Sequence, residues 1–184
     1  VNNAVMFKQK EVLDMSLEEW ERQTGIILSG SFLFTKYVAS ALIDQKRRGS
    51  IINIISTAGH QGQPGNVGYC TGKSGLLNFT RSVAMELAEY GIRVNSLTPT
   101  ATALEEGFDR AAKWGRPKVD SVKFESVMDG FRKSIPMQQL PRPADYAKTA
   151  VFLASEDAAM LTGTDIKVDA GALARYWAWD PAVA

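Results

Sequence analysis

The spacing of apolar and polar positions predicts alternating helices and strands along the chain. Ser16 followed by Glu19 has the spacing of a capping box. Apolar and small residues then recur at three- and four-residue steps, which predicts a long helix from near Leu17 to about Gly49. The run 51–55, with four isoleucines, predicts a strand buried on both faces.

The rest of the pattern continues this alternation. We expect a helix over 69–90 closed by Gly91, and a second buried strand over 92–97. A proline in its favoured first position opens another predicted helix, 143–154, and residues 164–168 form the last predicted strand. Strands and helices in this order predict an α/β fold with a parallel sheet. The glycine-containing segment 57–68 is predicted as a loop. Segment 98–140 is interpreted as a long excursion with two plausible short helices.

Length and composition limit the class of protein. A chain of 184 residues with 45% hydrophobic content predicts a single globular domain over 1–184. Its 21 basic and 20 acidic residues argue against a nucleic-acid partner. One cysteine and one histidine argue against a disulfide and a metal site. No long uninterrupted apolar run and no signal sequence is found, so we expect a cytoplasmic protein without a membrane partner. Because the chain opens at Val1 without a methionine, we interpret it as a fragment.

Three residues that follow or begin predicted elements suggest a catalytic group. Ser56 directly follows the first predicted strand, Tyr69 opens the next helix, and Lys73 lies one helical turn later. Ligands of parallel sheets bind beyond the carboxyl ends of the strands, so these side chains are expected to converge. Taken alone, a serine after a strand is more often a turn or capping residue.

The chemistry of these side chains favours proton transfer to or from an alcohol. A tyrosine has an ordinary pKa of about 10, so use as a base at neutral pH requires roughly 3 to 4 kcal/mol of stabilisation of its phenolate. We expect the Lys73 ammonium to lower the pKa of Tyr69, and the Ser56 hydroxyl to hold the substrate oxygen. Reversible hydride transfer between an alcohol and a carbonyl suits this group.

The chain resembles the short-chain dehydrogenase/reductase family over its whole length. The resemblance rests on Ser56 before a Tyr-x-x-x-Lys motif at Tyr69 to Lys73, with five flanking segments in the family's order. These segments are Asn2-Asn3-Ala4, Gly49 to Ser56, Ile92-Arg93-Val94-Asn95 with Pro99, Phe152-Leu153-Ala154-Ser155 with Thr162-Gly163, and Val168-Asp169-Ala170-Gly171.

The resemblance implies a Rossmann-type doubly wound parallel sheet, incomplete at its amino-terminal side. It implies NAD or NADP as cofactor, but the segments that choose between them would precede Val1. Tyr69 would act as the acid/base, Lys73 would also bind the nicotinamide ribose, and Ser56 would position the substrate. A secondary alcohol or its ketone is the implied substrate, with a polyol, a sugar derivative or a cyclic ketone as candidates. A homodimer or homotetramer is also implied.

Further site residues follow from the same resemblance. Asn3, Pro99, Thr100 and Thr102 would line the cofactor, and residues of about 103–140 would form a substrate lid. Candidate substrate contacts are His60, Phe108 and Trp114. An exposed loop position is an alternative for His60, and packing inside the lid is an alternative for the two aromatic residues.

The sequence departs from the family pattern at several positions. Ile27 replaces an asparagine that helps anchor a water leading from the lysine to solvent, Val5 and Thr100 replace glycines, and the family's nicotinamide-contacting threonine falls on Leu104. Thr102 could serve in place of Leu104. These departures keep open a second hypothesis, a catalytically degenerate relative that acts as a scaffold or as a cofactor sensor.

Overall fold

The computed structural model describes residues 1–103, 121–176 and 178. Within them lies a parallel sheet of three strands in the order β1-β2-β3. The strands are β1 (Gly49–Ile54), β2 (Ile92–Pro99) and β3 (Asp165–Val168). Asn2 forms a further parallel bridge with Asn53 along the opposite edge of β1. The predicted strand order along the chain and the parallel pairing are confirmed.

The helices fall close to the predicted positions. The first long helix consists of α1 (Leu17–Thr24), a π-helical segment (Gly25–Ser29) and α2 (Gly30–Asp44). The later helices are α3 (Val67–Leu87), α4 (Ser121–Ser134) and α5 (Pro143–Ala154). The predicted capping box is present, since the Ser16 hydroxyl accepts from the Glu19 amide and the Glu19 carboxylate accepts from the Ser16 amide.

Some predicted boundaries were wrong by a few residues. The long helix ends at Asp44, not at Gly49, because Lys46 adopts a left-handed φ of 53° and the Arg47 amide bonds back to the Leu42 carbonyl at 2.8 Å. Gly49 instead begins β1. An added Cβ there would lie 2.5 Å from a Leu42 methyl group, so a larger residue at this position would displace the end of the Leu42 side chain.

The other boundaries moved less. Helix α3 begins at Val67 and passes into a short 3-10 turn before Gly91, whose φ is 69°. Strand β2 extends to Pro99, and β3 begins at Asp165. The predicted helix 143–154 is confirmed at both ends. Part of the predicted lid lies in 104–120, outside the described residues, and the described remainder contains α4.

Helices cover both faces of the sheet, as the predicted doubly wound architecture requires. On one face, Ala39 of α2 and Ala84 of α3 pack with Ile51, Ile92 and Val94. On the other face, Leu153 of α5 packs against Ile52 and Leu97. Each cluster buries the inward side of its helices and one face of the strands. The packing of α3 on this sheet holds the start of α3 next to the carboxyl ends of β1 and β2.

The helix 17–44 is long and apolar enough, by length and composition, to cross a membrane. The core helix of a water-soluble protein passes the same test. Here its Ile27, Ser31, Thr35 and Ala39 are buried, so one side of the helix belongs to the core.

Candidate active site

Ser56 sits at the tip of β1, where the chain turns. Ile55 continues the buried strand, and Ser56 has an extended backbone with φ of −177°. It is the N-cap of a 3-10 turn, Thr57–Gly59, and its hydroxyl accepts from the Ala58 amide at 3.2 Å. Ser56 therefore does cap a turn, which was the alternative to a catalytic role in the sequence analysis. Because the hydroxyl oxygen accepts in this bond, its proton remains available for donation to another group.

Tyr69 and Lys73 lie on the first two turns of α3. Because α3 starts at Val67, both side chains leave the helix at the same end as the tip of β1. Tyr69 is half-buried and makes an edge-to-face contact with Phe7, with ring centroids 5.1 Å apart. The structure thus brings the three predicted catalytic side chains to the same end of β1, and the Ser56 hydroxyl lies near enough to the Tyr69 phenol to affect its pKa.

The Lys73 ammonium is held against the end of β1. Its Nζ donates to the Ile54 carbonyl at 2.6 Å and lies 5.8 Å from the centroid of the Tyr69 ring. Lys73 is only 3% exposed, and this burial lowers its pKa from 10.5 to about 8. The amine therefore remains mainly protonated at neutral pH but loses its proton more readily than a surface lysine.

Burial raises the pKa of the Tyr69 phenol above its ordinary value, and hydrogen bonding to Ser56 opposes this in part. The predicted lowering of the Tyr69 pKa by Lys73 is not found in this structure. The physical reason is that the ammonium is directed to the Ile54 carbonyl and lies over the tyrosine ring. A phenol in this state is protonated at neutral pH, which suits donation of a proton to a substrate oxygen.

Ile27, which replaces the expected asparagine, lies inside the π-helical segment and is fully buried. It packs against Ile55 and Leu76 in the core beneath α3. Its carbonyl accepts from the Ser31 hydroxyl at 2.7 Å. An apolar side chain at this position cannot carry a proton, so the helix offers no relay through residue 27.

Predicted cofactor residues surround a cavity of about 430 Å³ at the carboxyl ends of β1 and β2. Asn3, Pro99 and Thr102 line it, together with Ile54, whose carbonyl holds Lys73. Thr100 lies beside the cavity, and its carbonyl accepts from the Thr102 hydroxyl at 3.2 Å. The cavity therefore reaches the end of β1 through Ile54, but Ser56, Tyr69 and Lys73 do not line it.

Two replaced glycines cause no backbone strain. Val5 and Thr100 both lack the positive φ that would require glycine. Each side chain is carried by an ordinary backbone conformation. An effect of these two side chains on cofactor binding stays a prediction.

The predicted substrate residues are placed differently. The His60 ring lies 3.2 Å from both the Thr98 hydroxyl and the Asp165 carboxylate, so it is bonded to the sheet. A direct contact of His60 with substrate stays a prediction. Phe108, Trp114 and Leu104 fall outside the described residues.

Two residues near the site were not found by the sequence reasoning. Tyr146 of α5 lines the cavity, accepts from the Thr102 hydroxyl at 3.1 Å and donates to the Thr100 carbonyl at 3.4 Å. Asp165 holds His60 at the start of β3. The sequence signal for Tyr146 was its position three residues after the proline that opens α5. The signal for Asp165 was a charged residue inside a predicted strand, where an apolar residue was expected.

Known proteins resemble this chain along nearly all of its length. A family model described as enoyl-(acyl carrier protein) reductase matches residues 1–172. The human (3R)-3-hydroxyacyl-CoA dehydrogenase is 36% identical over 171 residues, which cover 93% of this chain and 60% of the relative. The 3-oxoacyl-[acyl-carrier-protein] reductase of Aquifex aeolicus is also 36% identical over 171 residues, covering 93% of this chain and 63% of the relative.

Solved structures show the same architecture. The ligand-free aldohexose dehydrogenase of Thermoplasma acidophilum superimposes with a TM-score of 0.83 at 26% identity, covering 97% of this chain and 69% of that one. The chain spans about 60% of the length of the curated relatives that it matches. The site geometry, the family model and these relatives agree that the chain belongs to the short-chain dehydrogenase/reductase family.

Proposed function

We propose that the protein is an NAD(P)-dependent oxidoreductase that transfers a hydride reversibly between a nicotinamide cofactor and a secondary alcohol or ketone. The observation that carries this proposal is the convergence of Ser56, Tyr69 and Lys73 at the end of β1, where Lys73 is bonded to the Ile54 carbonyl. A purely structural role would place no chemical demand on this group. The relatives' names, a dehydrogenase and a reductase, support the same reaction class in both directions.

The cavity at the carboxyl ends of β1 and β2 fits the nicotinamide end of such a cofactor. Its floor is apolar, with Ile54 and Leu97, which suits the flat face of an aromatic ring. Asn3 and Thr102 provide polar groups at its edge. When bound, the nicotinamide supplies the atom that accepts or donates the hydride.

The side chains of this chain would handle the proton. In the reductive direction, Ser56 and Tyr69 donate hydrogen bonds to the carbonyl oxygen, and the Tyr69 proton moves to that oxygen as the carbonyl carbon gains the hydride. The raised pKa of Tyr69 keeps this proton available at neutral pH. In the oxidative direction, the Tyr69 phenolate takes the hydroxyl proton. Lys73 lies one turn away, and its ammonium would stabilise that phenolate if it turned from the Ile54 carbonyl towards the phenol.

A homodimer or homotetramer is part of the proposal. Helix α2 presents an exposed apolar face that the described residues leave without a partner in the chain. Its members are Phe32, Leu33, Phe34, Tyr37 and Val38, each more than 40% exposed. A patch of this kind is expected at a protein interface. The single cysteine is compatible with a cytoplasmic location, which we also propose.

The test uses the full-length protein with NADH or NADPH and a panel of ketones that includes sugar derivatives and cyclic ketones. Oxidation of the cofactor is followed by its absorbance. We expect turnover with the wild type and a loss of roughly 10² to 10⁴ in kcat for Tyr69→Phe, because phenylalanine keeps the ring packing on Phe7 but has no proton to transfer. Tyr37→Phe, on the exposed face of α2, is the matched control and should retain activity.

The same turnover assay distinguishes the oxidoreductase from the second candidate function, a degenerate scaffold or cofactor sensor. Burial of Ile27 against the core removes a side-chain relay from the helix, which is the observation that favours a degenerate scaffold or cofactor sensor. Cofactor binding without turnover of any ketone would support that candidate. Turnover that is equal in the wild type and Tyr69→Phe would refute the assigned proton donor.

A further inference from the structure

A cluster of polar side chains lies on the face of the sheet that α3 covers. Side chains alternate along β2, so Ser96 and Thr98 share the face of Val94, which packs against α3. Asp165 of β3 accepts hydrogen bonds from both, at 2.7 Å from Ser96 and 2.9 Å from Thr98. Its side chain is only 12% exposed, so this carboxylate is largely withdrawn from water.

His60 completes this cluster from the loop that follows β1. Its Nε2 lies 3.2 Å from an Asp165 carboxylate oxygen and 3.2 Å from the Thr98 hydroxyl oxygen. The carboxylate has no proton to donate, and the single Thr98 proton is directed to Asp165. The Nε2 atom must therefore carry the hydrogen and act as the donor, which assigns the tautomer of His60.

His60 is also the residue that ends the turn carrying Ser56. The turn Thr57–Gly59 has Ser56 as its N-cap and His60 as its C-cap. Within it, the Gly59 amide donates to the Ser56 carbonyl at 2.8 Å, and the His60 amide donates to the Thr57 carbonyl at 3.0 Å. Any displacement of His60 would therefore be passed to Ser56 through one tight turn.

The opposite side of this turn rests on α3 at the catalytic lysine. An added Cβ at Gly59 would lie 3.0 Å from the backbone carbonyl of Lys73 and 2.9 Å from a methyl group of Ile55. The turn is thus in close contact with α3. His60, Gln61 and Gly62 are all exposed as whole residues, but the His60 side chain is only 20% exposed. The His60 ring therefore attaches the serine turn to the sheet just before a glycine-containing loop.

We propose that His60 and Asp165 form a positioning pair that holds the Ser56 turn in register with Tyr69 by tying it to β2 and β3. This inference rests on the proposed function, because it assigns Ser56 a substrate-holding role. His60 acts through Ser56, and neither His60 nor Asp165 touches the reacting atoms. The pair ties the turn to β2 and β3, whereas the contact of Gly59 with Lys73 ties it to α3.

The experiment compares His60→Leu and His60→Gln in the full-length protein, alone and combined with Ser56→Ala. The best ketone of the panel above is the substrate. We expect His60→Leu to lower kcat about tenfold with little change in the KM for the cofactor, since small misplacements of a catalytic group cost this much. His60→Gln should restore most of the activity, because its amide can donate in place of Nε2. Gln61→Leu, in the same loop, is the control and should match the wild type.

The double variant decides between positioning and general destabilisation. If His60 acts through Ser56, His60→Leu should lower kcat by less than about twofold in the Ser56→Ala background. An undiminished tenfold loss in that background, or an equal loss in His60→Gln, would overturn the proposal.

Hydrogen exchange provides a measurement that needs no activity. Amides of a peptide spanning residues 56–61 should exchange faster in His60→Leu than in the wild type, and at the wild-type rate in Gln61→Leu. Unchanged exchange in His60→Leu overturns the pair even if the enzyme is active. A wild type that turns over no ketone refutes the proposed function instead, and the exchange result then still decides whether the pair holds the turn.

Discussion

At the scale of single residues, the site is governed by burial. Tyr69 and Lys73 are both withdrawn from water, which moves their pKa values in opposite directions: up for the acid that becomes an anion, down for the base that becomes a cation. The two values therefore move apart, because the pKa of Tyr69 rises from 10.0 while that of Lys73 falls from 10.5 to about 8. Transfer of the phenol proton to the neutral amine then costs more free energy than it would between the same groups on a surface.

The lowered pKa of Lys73 has a consequence for stability. Between about pH 8 and 10.5 the unfolded chain holds a proton on this amine that the folded chain has released, so this group makes stability rise with pH across that window. Below pH 8 both states are protonated, and the buried ammonium lowers the free energy of unfolding by a constant amount. A shift of this size corresponds to roughly 3 kcal/mol.

We therefore expect Lys73→Met to abolish activity and yet to stabilise the ligand-free fold at pH 7 by about 2 kcal/mol. The lost bond to the Ile54 carbonyl offsets roughly 1 kcal/mol of the gain. Urea unfolding of wild type and variant should show their difference shrinking from pH 8 to 10.5. Lys36→Met, on the exposed side of α2, is the control. A difference that stays constant with pH would contradict the lowered pKa.

At the scale of elements, the packing of the π-helical segment on α3 explains how Ile27 is accommodated. An added Cβ at Gly72 would lie 3.0 Å from Ile27 Cδ1 and 3.2 Å from its Cβ. Gly72 lies directly before Lys73, so the π-helical segment packs closely on α3 next to this lysine. The large Ile27 side chain on one helix thus fills the space that Gly72 leaves on the other.

Gly72→Ala should destabilise the protein by about 1 to 3 kcal/mol, because the added methyl group overpacks a filled interface. In an Ile27→Ala background the same substitution should cost less, since most of the opposing side chain is gone. Thermal unfolding of the four proteins measures this coupling. Gly25→Ala, where nothing lies within 4 Å of the added Cβ, is the control. Equal effects of Gly72→Ala in both backgrounds would show that the two positions are independent.

At the scale of the whole molecule, the long helix has two different sides. One side, with Ile27, Thr35 and Ala39, is buried, and the other carries the apolar face of α2 defined above. This second face is exposed in the chain although it is as apolar as the core. An assembly of several copies would cover it at little entropic cost, because the residues lie on a rigid helix.

Replacing both Phe34 and Tyr37 by glutamate should reduce the oligomer to smaller species. Desolvating two carboxylates in an apolar contact is unfavourable, so association should weaken by at least a factor of ten. Light scattering after size-exclusion chromatography measures the mass. Met160→Glu, an exposed apolar residue elsewhere, is the control. A mass identical to that of the wild type would show that this face is not the interface.

Local patterns predicted much of the architecture. The capping box at Ser16, the proline at the start of α5 and the left-handed Gly91 each act over one helical turn, and all three were found where expected. The end of the long helix was misplaced, because Gly49 resembles a helix cap in sequence but begins β1 and packs against Leu42. That contact joins residues that become neighbours only after the chain turns at Lys46.

The amino-acid sequence by itself determined the order of elements and the chemical types near the strand ends, because periodicity and the spacing of Ser56, Tyr69 and Lys73 are local properties. Only the tertiary structure decided the direction of the Lys73 ammonium, the raised pKa of Tyr69 and the attachment of His60 to Asp165. Each of these depends on burial or on a partner distant in the chain. Such effects arise from the packing of whole elements, which no short stretch of sequence encodes.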